Sequence, residues 1–492
     1  MKQKVLLIYY RILIFFAHRH LSRHKPKVIG INGSVGKTSC RMIIYQTLEQ
    51  YFPNLKIYTS PKNFNGELGL SLSVLKIEER TPSLRCMFKT FWISFFRGCF
   101  GKKEYDIVVL EYGIDRPGEM DFILKVAHPD IGVFTAIDAV HSEQFGSPAE
   151  IAKEEVKMAL HTKELVFLNH DDNYAMELLP RIEVDKLTYQ TKGYDEDADI
   201  SFSESEFILG GASHEIKSAF TLDIKGKKYQ IITNLIGKAN YGYIGVAFAV
   251  AETLAYQSLT LSSGTKGRIQ SKEKDKNLDS SHALRFAQND KIELNYQLQP
   301  GRLSIFAGKY DSIIFDSTYN ASPLSMRKTI DTVLTIRNAL FPASEIRLIL
   351  GDMRELGDLT EKEHRLLAGY VSQSADKLFL LGDSMKKYLA DEIEKCGFDS
   401  SKFFVANNLK SLNSEIEQLL KNLPAKNPLS RGSGTSPSQG RKIAPPLLVF
   451  KGSQNTIFLE ESVKHFLANE KDAKLLTRQG EFWEEKKREF IA

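Results

Sequence analysis

Short apolar runs of five or six residues recur along the chain, and between them apolar positions return every three or four residues, the spacing of helices that bury one face. KVIGIN (27–32), DIVVLE (106–111), IGVFTA (131–136) and ELVFLN (164–169) predict strands of one domain. SIIFDS (312–317), IRLILG (346–351), KLFLLG (377–382) and LLVFKG (447–452) predict strands of a second. Strand and helix alternating in this way is the pattern of α/β domains, parallel sheets joined by crossover helices. Two stretches break it. Residues 262–290 are polar, charged and without periodicity, and NPLSRGSGTSPSQGRK (427–442) is rich in Ser, Gly and Pro; both read as surface insertions or disordered linkers. The expected organisation is an N-terminal helix over 1–26, a central domain over 27–298 and a C-terminal domain over 299–492.

A chain of 492 residues with 42% hydrophobic positions has material for two or three cores. Cys40, Cys86, Cys99 and Cys396 stand far apart with no CxxC, so neither a disulfide framework nor a zinc site is indicated and a reducing compartment fits. The net charge of +5 is local: Lys2, Lys4, Arg11, Arg19, Arg23, Lys25 and Lys27 lie in a segment with no acidic residue, and the remainder of the chain is slightly acidic. That distribution argues against a nucleic-acid surface spread over the protein. VLLIYYRILIFFA (Val5 to Ala17) is interrupted by Arg11 and falls short of the ~20 apolar residues of a spanning helix. No cleavage-like site follows it, so neither a transmembrane helix nor a signal peptide is expected. A basic, aromatic helix over residues 1–25 that lies on an anionic membrane face, or that packs against the equally aromatic FKTFWISFFRGCF (88–100), is expected instead.

The chemistry starts at GINGSVGKTSC (30–40). Gly33, Ser34, Val35, Gly36, Lys37, Thr38 and Ser39 follow a predicted strand and open a predicted helix. In that context backbone N–H groups and the helix dipole face phosphates, Lys37 neutralises charge between them, and the Thr38 hydroxyl can ligate magnesium. The strict G-x-x-x-x-G-K-[ST] spacing is not met, because Ile occupies position 31. The N-K-x-D of guanine-nucleotide switches is absent. Glu111 stands at the carboxyl end of an apolar strand, where ligands collect in open α/β sheets, and is placed to hold a metal ion. His141 follows the next strand and could serve a second ion or a phosphate oxygen.

Taken together, GSVGKTS (33–39), NFNGELG (63–69), LEYGIDRPGEM (110–120), HSEQFGSPAEIA (141–152), NHDDN (169–173), PGR (300–302), DSTYNASPLSM (316–326), LGDMRELG (350–357) and KGS (451–453) resemble the Mur ligase family, and within it the dipeptide-adding branch. The resemblance implies a phosphate-loop central domain with a parallel sheet, a Rossmann-like C-terminal domain, ATP and Mg2+ as cofactors, and amide formation through an acyl phosphate in peptidoglycan synthesis. The implied substrates are UDP-N-acetylmuramoyl-tripeptide (UDP-MurNAc-tripeptide) and D-Ala-D-Ala. On the matching positions it implies that Lys37 and the loop backbone hold the phosphates, that Thr38 and Glu111 ligate a first magnesium, and that His141 helps with a second. Asn240 is implied to contact the nucleotide. Arg302 and Asp316 are implied to reach the ATP from the C-terminal domain, with Tyr319, Asn320 and Ser322 meeting amine substrate or nucleotide. A cytoplasmic monomer is expected, with contact at the inner face of the membrane through residues 1–25.

The departures carry information. The lysine that many relatives carbamylate to bind the second magnesium aligns with Glu155, which supplies a carboxylate directly. The usual His-Asn-x-x-Asn becomes Ala239-Asn240-Tyr241-Gly242-Tyr243, removing two polar groups, and the usual paired aspartates become Asp316-Ser317. Only about 30 residues precede the loop, where relatives carry a UDP-recognising domain. Two other readings therefore stand beside the dipeptide-adding ligase: a membrane-associated amide ligase acting on a lipid-linked precursor, and a non-catalytic nucleotide-binding protein.

Overall fold

The computed structural model describes residues 2–60, 66–78, 84–140, 142–193, 197–212, 214–262, 291–423, 444–453 and 457–491. His141, residues 263–290 and residues 427–442 lie outside them. The chain divides into two compact units, one of residues 1–205 with 218–298 and one of residues 206–217 with 299–492.

All eight apolar runs form strands. The first unit carries, but for residues 206–209 and 216–217, a ten-stranded sheet of β1 (Lys27–Asn32), β2 (Ile57–Thr59), β3 (Ile107–Tyr112), β4 (Ile131–Phe134), β5 (Leu165–Asn169), β6 (Asp185–Tyr189), β7 (Ile200–Leu209), β8 (Ile216–Ile224), β9 (Lys227–Thr233) and β10 (Lys291–Leu294). Its order is β10-β9-β8-β7-β6-β5-β4-β1-β3-β2. β1 runs parallel to both neighbours, with Ile31 opposite Glu111 on β3 and Asn32 opposite Phe134 on β4. The chain leaves β1 between strands reached in opposite directions, which opens a crevice beyond their carboxyl ends.

β1 and β3 are buried on both faces. Ile29, Ile31, Ile107 and Val109 pack with Ile43, Ile44 and Leu48 of the helix Lys37–Tyr51 and with Ile244 and Val246 of the helix Lys238–Ser262. Val28, Val108 and Leu110 face the other way, toward Leu70, Met120 and Ile151. Strands covered on both sides read as unbroken apolar runs, which is why these were legible. β8 and β9 were not: they form an antiparallel hairpin turning at Lys225 and Gly226, and their polar and apolar residues interleave. The expectation of a parallel sheet thus holds for β1 to β6, and the far side of the sheet is mixed.

The N-terminal helix, Lys2–His24, belongs to the first unit and packs against the helix Leu84–Phe100. Phe16 meets Phe91 and Phe95 edge to face, with centroids 6.0 and 5.7 Å away. The Tyr9 hydroxyl donates to the Met87 carbonyl (3.2 Å), and Gly98 admits the Phe16 backbone where a side chain would collide. Among the described residues no helix is long and apolar enough to cross a membrane.

The second unit carries β11 (Ser304–Ala307), β12 (Ile313–Ser317), β13 (Ile346–Gly351), β14 (Lys377–Leu381), β15 (Phe403–Ala406) and β16 (Leu447–Lys451), in the order β11-β12-β16-β13-β14-β15. β11 is antiparallel to β12 and the other pairings are parallel.

Candidate functional site

The loop after β1 is shaped by two glycines. Gly33 (φ 121°) and Gly36 (φ 96°) adopt backbone conformations that side chains disfavour, and a Cβ would strike Thr135 Oγ1 at the first and the Tyr243 hydroxyl at the second. Ser34 and Val35 donate their N–H groups to the Ala136 carbonyl (2.7 and 3.3 Å), which pins the loop to the segment after β4. Gly36 caps the helix Lys37–Tyr51, so the N–H groups of its first turn have no partner within the helix and open toward the crevice. Lys37 folds its ammonium onto the Gly33 carbonyl and lies 3.3 Å from the Ser34 carbonyl. Ser39 lies half-buried in the same first turn.

Beneath the loop, Thr38 Oγ1 lies 3.1 Å from both carboxylate oxygens of Glu111. Glu111 is also held by Arg41 Nε at 3.2 Å, and both side chains of this pair are almost wholly buried. Arg41 is fixed in turn by the Thr59 hydroxyl and the Ser60 carbonyl, each at 2.6 Å. Glu155, buried on the helix Pro148–Leu160, accepts hydrogen bonds from the Asn32 side-chain amide and from the Gly33 N–H (3.3 Å). Asn32 Oδ1 and Ser34 Oγ are buried with no partner among the described residues. Such orphans cost ~1–3 kcal/mol each. Hard oxygen donors are the set a magnesium ion selects, and an ATP phosphate brings the complementary charge.

Tyr243 departs from the reading of a lost polar group: its hydroxyl stands against Gly36, at the loop itself. Tyr241 instead turns into the core, stacked on Phe220 (4.4 Å) and donating to Ser218 Oγ (2.7 Å). Asn240 directs its amide back to the Ile236 carbonyl (2.8 Å).

The second unit gathers its residues at the carboxyl ends of neighbouring parallel strands, Ser317 lying opposite Lys451 and Leu350 opposite Lys451. Lys451 Nζ is buried and donates to Ser317 Oγ (3.2 Å) and to the Asn320 carbonyl (2.9 Å). The Arg302 guanidinium stacks over the Tyr319 ring at 4.4 Å, and the Tyr319 N–H donates to the Gly301 carbonyl (3.1 Å). Asn320 accepts from the Ala321 N–H at 2.9 Å. Ser322 is buried as the N-cap of the helix Pro323–Leu340, bonded reciprocally with Ser325. Arg478 braces the turn from behind. It donates to the Thr318 and Tyr319 carbonyls (2.7 and 3.0 Å) and grips both oxygens of fully buried Glu460 (2.7 and 2.6 Å).

Asp316 is wholly buried. Its Oδ1 accepts from the Thr318 N–H (3.0 Å) and hydroxyl (2.6 Å), while Oδ2 has no partner among the described residues. Burial pushes its carboxyl up from 3.8 to about 6, opposed by the two Thr318 hydrogen bonds and reinforced by Glu460. The folded state therefore keeps its proton where the unfolded chain has lost it, and stability falls as pH rises through this interval. Asp316→Asn removes that titration. The stability of the variant relative to the parent is expected to improve by about 2–3 kcal/mol between pH ~4 and ~8, measured by urea unfolding. A difference that does not change with pH would show that the carboxyl ionises as in solvent.

Each described candidate thus has a place, and the structure brings Lys37, Thr38, Glu111 and Glu155 together around one loop and Arg302, Asp316, Tyr319 and Asn320 around one strand-end turn. Arg41, Tyr243, Lys451 and Arg478 were missed as participants. For Lys451 a signal existed, a lysine at the end of an apolar strand in KGS. For Arg41 none did, since its partner Glu111 is 70 residues away.

Comparison with known proteins identifies the two domains. The family profile "Mur ligase middle domain" matches residues 31–251, and "Mur ligase, glutamate ligase domain" matches residues 301–423. The chain is 27% identical to the UDP-N-acetylmuramoyl-tripeptide–D-alanyl-D-alanine ligase of Borreliella burgdorferi, over 80% of this chain and 71% of that one. It is 26% identical to the ligase of the same name in Bacillus subtilis, over 74% of this chain and 65% of that one. Among solved structures, MurF of Thermotoga maritima in complex with ADP superimposes with a TM-score of 0.63 at 20% identity, covering 94% of this chain and 84% of that one. With the family's middle domain and its glutamate ligase domain matched in order along the chain, the chain belongs to the Mur ligase family.

Proposed function

We propose that the chain is an ATP-dependent, ADP-forming ligase that adds D-Ala-D-Ala to UDP-N-acetylmuramoyl-tripeptide in peptidoglycan synthesis. The observation that carries this is the Thr38–Glu111 couple beneath a loop that ends in Lys37, in a chain with this family's two domains. The tripeptide carboxylate takes the γ-phosphoryl group of ATP and ADP leaves. The dipeptide amine then attacks the acyl carbon, loses a proton, and expels phosphate as the amide forms. Lys37 and the N–H groups of the first helical turn stabilise charge on the phosphoryl oxygens, so catalysis is chiefly positioning and electrostatics. Thr38 and Glu111 would hold Mg2+, with Glu155 and His141 the candidates for a second ion; when bound, the metal neutralises phosphate charge. Arg302 and Asp316 serve the nucleotide, Asn240 with them, Tyr319 and Asn320 meet the amine substrate or the nucleotide, and Ser322 holds the helix that follows them. The chain works as a cytoplasmic monomer, without nucleic acid, in peripheral contact with the inner face of the membrane through residues 1–25.

The test is phosphate release from ATP by the full chain with magnesium, with both substrates and with each alone, and the product weighed by mass spectrometry. Turnover that needs both, with a product heavier by the dipeptide less water, is the expected result. Hydrolysis indifferent to both substrates would overturn the assignment. In the same assay Glu155→Ala is expected to lower turnover by roughly 10- to 100-fold, the usual cost of losing a group that tunes a metal site. Added bicarbonate should not restore it, because the carboxylate here is supplied by the side chain itself. Rescue by bicarbonate would instead point to a carbamylated lysine.

A further inference from the structure

The packed pair of helices Lys2–His24 and Leu84–Phe100 buries Phe16, Leu13 and Ala17, yet it leaves large apolar side chains in solvent. On the second helix Phe88, Trp92, Phe96 and Phe100 are 66%, 43%, 56% and 68% exposed. They recur every four residues, so they form one stripe along the helix, about 18 Å long at 1.5 Å per residue. Each ring touches the next, with centroids 6.1 Å apart for Phe88 and Trp92, 6.0 Å for Trp92 and Phe96, and 6.4 Å for Phe96 and Phe100. Contiguous exposed aromatic surface of this kind marks a contact face.

Charge identifies what covers it. No Asp or Glu occurs in residues 1–27 or 84–103, whereas Arg85 and Lys89 flank the stripe, Lys102 follows it, and Arg11 and Arg19 are exposed on the partner helix. Two copies of such a face would set cations against cations. An anionic lipid surface complements both properties, at ~1 kcal/mol per basic residue near the headgroups in addition to the apolar burial. Trp92 lies within the stripe, and tryptophan favours the interfacial depth of a bilayer. Because no described helix can span a membrane, the helix would lie in the plane of the surface.

We infer that the aromatic face of Leu84–Phe100, with the basic N-terminal helix beside it, docks the protein on an anionic bilayer surface. This deepens the membrane contact proposed for residues 1–25: the N-terminal helix spends its Phe16 face on packing and contributes charge with the exposed Leu6, Leu7, Ile8 and Phe15, while the second helix supplies the aromatic stripe. Binding is read without ligase chemistry, so its failure and that of the ligase assignment are separable.

The chain has two tryptophans, Trp92 and Trp483, and the full-length Trp483→Phe variant makes Trp92 the sole reporter. It is titrated with phosphatidylcholine vesicles and with equimolar phosphatidylcholine–phosphatidylglycerol vesicles. The expected result is a blue shift of Trp92 emission and co-sedimentation with the anionic vesicles alone, weakened by salt. Phe88→Ser/Phe96→Ser/Phe100→Ser is expected to lower partitioning at least ~100-fold with an unchanged thermal transition. Arg11→Glu/Arg85→Glu, which leaves the rings in place, should lower it at least ~10-fold. Absence of binding to anionic vesicles, or equal and salt-independent binding to both kinds, would overturn the inference. So would a dimer in sedimentation equilibrium that the triple variant dissolves, since the face would then join two copies of the chain.

Discussion

Lys37→Ala is expected to leave the fold intact and to lower ATP-dependent ligation by about 10³-fold or more. The ammonium rests on the Gly33 carbonyl and near that of Ser34, contacts within a loop whose shape is already set by Gly33, Gly36 and the Ala136 carbonyl. Its removal costs little structure and deletes the one side-chain cation of the loop. Phosphoryl transfer spreads negative charge over oxygens that the backbone N–H groups meet only in part, so the loss falls on the transition state rather than on folding. Phosphate release together with a thermal melt checks both halves. Ligation preserved in this variant would remove the loop from the mechanism, whereas lost activity with a lowered transition would make Lys37 structural.

Arg478→Leu is expected to destabilise the second unit by about 3–5 kcal/mol, because it leaves a buried carboxylate with Lys487 alone and takes the donor from two carbonyls. Glu460 is fully buried and the Arg478 side chain nearly so, in a bidentate pair with Lys487 as a third member, 3.2 Å from Glu460. The same guanidinium holds the Thr318 and Tyr319 carbonyls, so its loss also releases the turn that presents Tyr319 and Asn320. Urea unfolding reads the first effect. The second should appear as a raised KM for D-Ala-D-Ala at a temperature where the variant is still folded. Arg478→Lys, which keeps the charge and loses the fork, is expected to recover part of the stability and little of the KM. If neither quantity moves for Arg478→Leu, the brace is not what holds the turn.

The central strands of both units and the phosphate loop were legible because each is a local pattern: KVIGIN and IRLILG are buried on both faces, and GSVGKTS lies between strand and helix. The β8–β9 hairpin was not, since its strands interleave polar and apolar residues. Within the site, alignment alone pointed to Glu155, and the fold carries it to Asn32, 123 residues earlier. Position 243 was read as a lost polar group, and the fold returns a hydroxyl to Gly36 there. Ser322 illustrates the converse, a site candidate whose hydroxyl is engaged in capping a helix.

By itself the sequence determined which segments are strands buried on both faces, where backbone N–H groups open around phosphate, and that the positive charge is gathered at one end. Burial periodicity, glycine conformation and net charge are properties of neighbouring residues, so they survive in a linear reading. The tertiary structure alone decided that Arg41 holds Glu111, that Arg478 grips Glu460 and the carbonyls of Thr318 and Tyr319, and that Phe16 is spent on packing while the Phe88–Phe100 stripe stays in solvent. Those outcomes depend on where crossing elements place a few polar atoms and which face of a helix meets its neighbour, and residues far apart along the chain fix such pairings only once the sheets have formed.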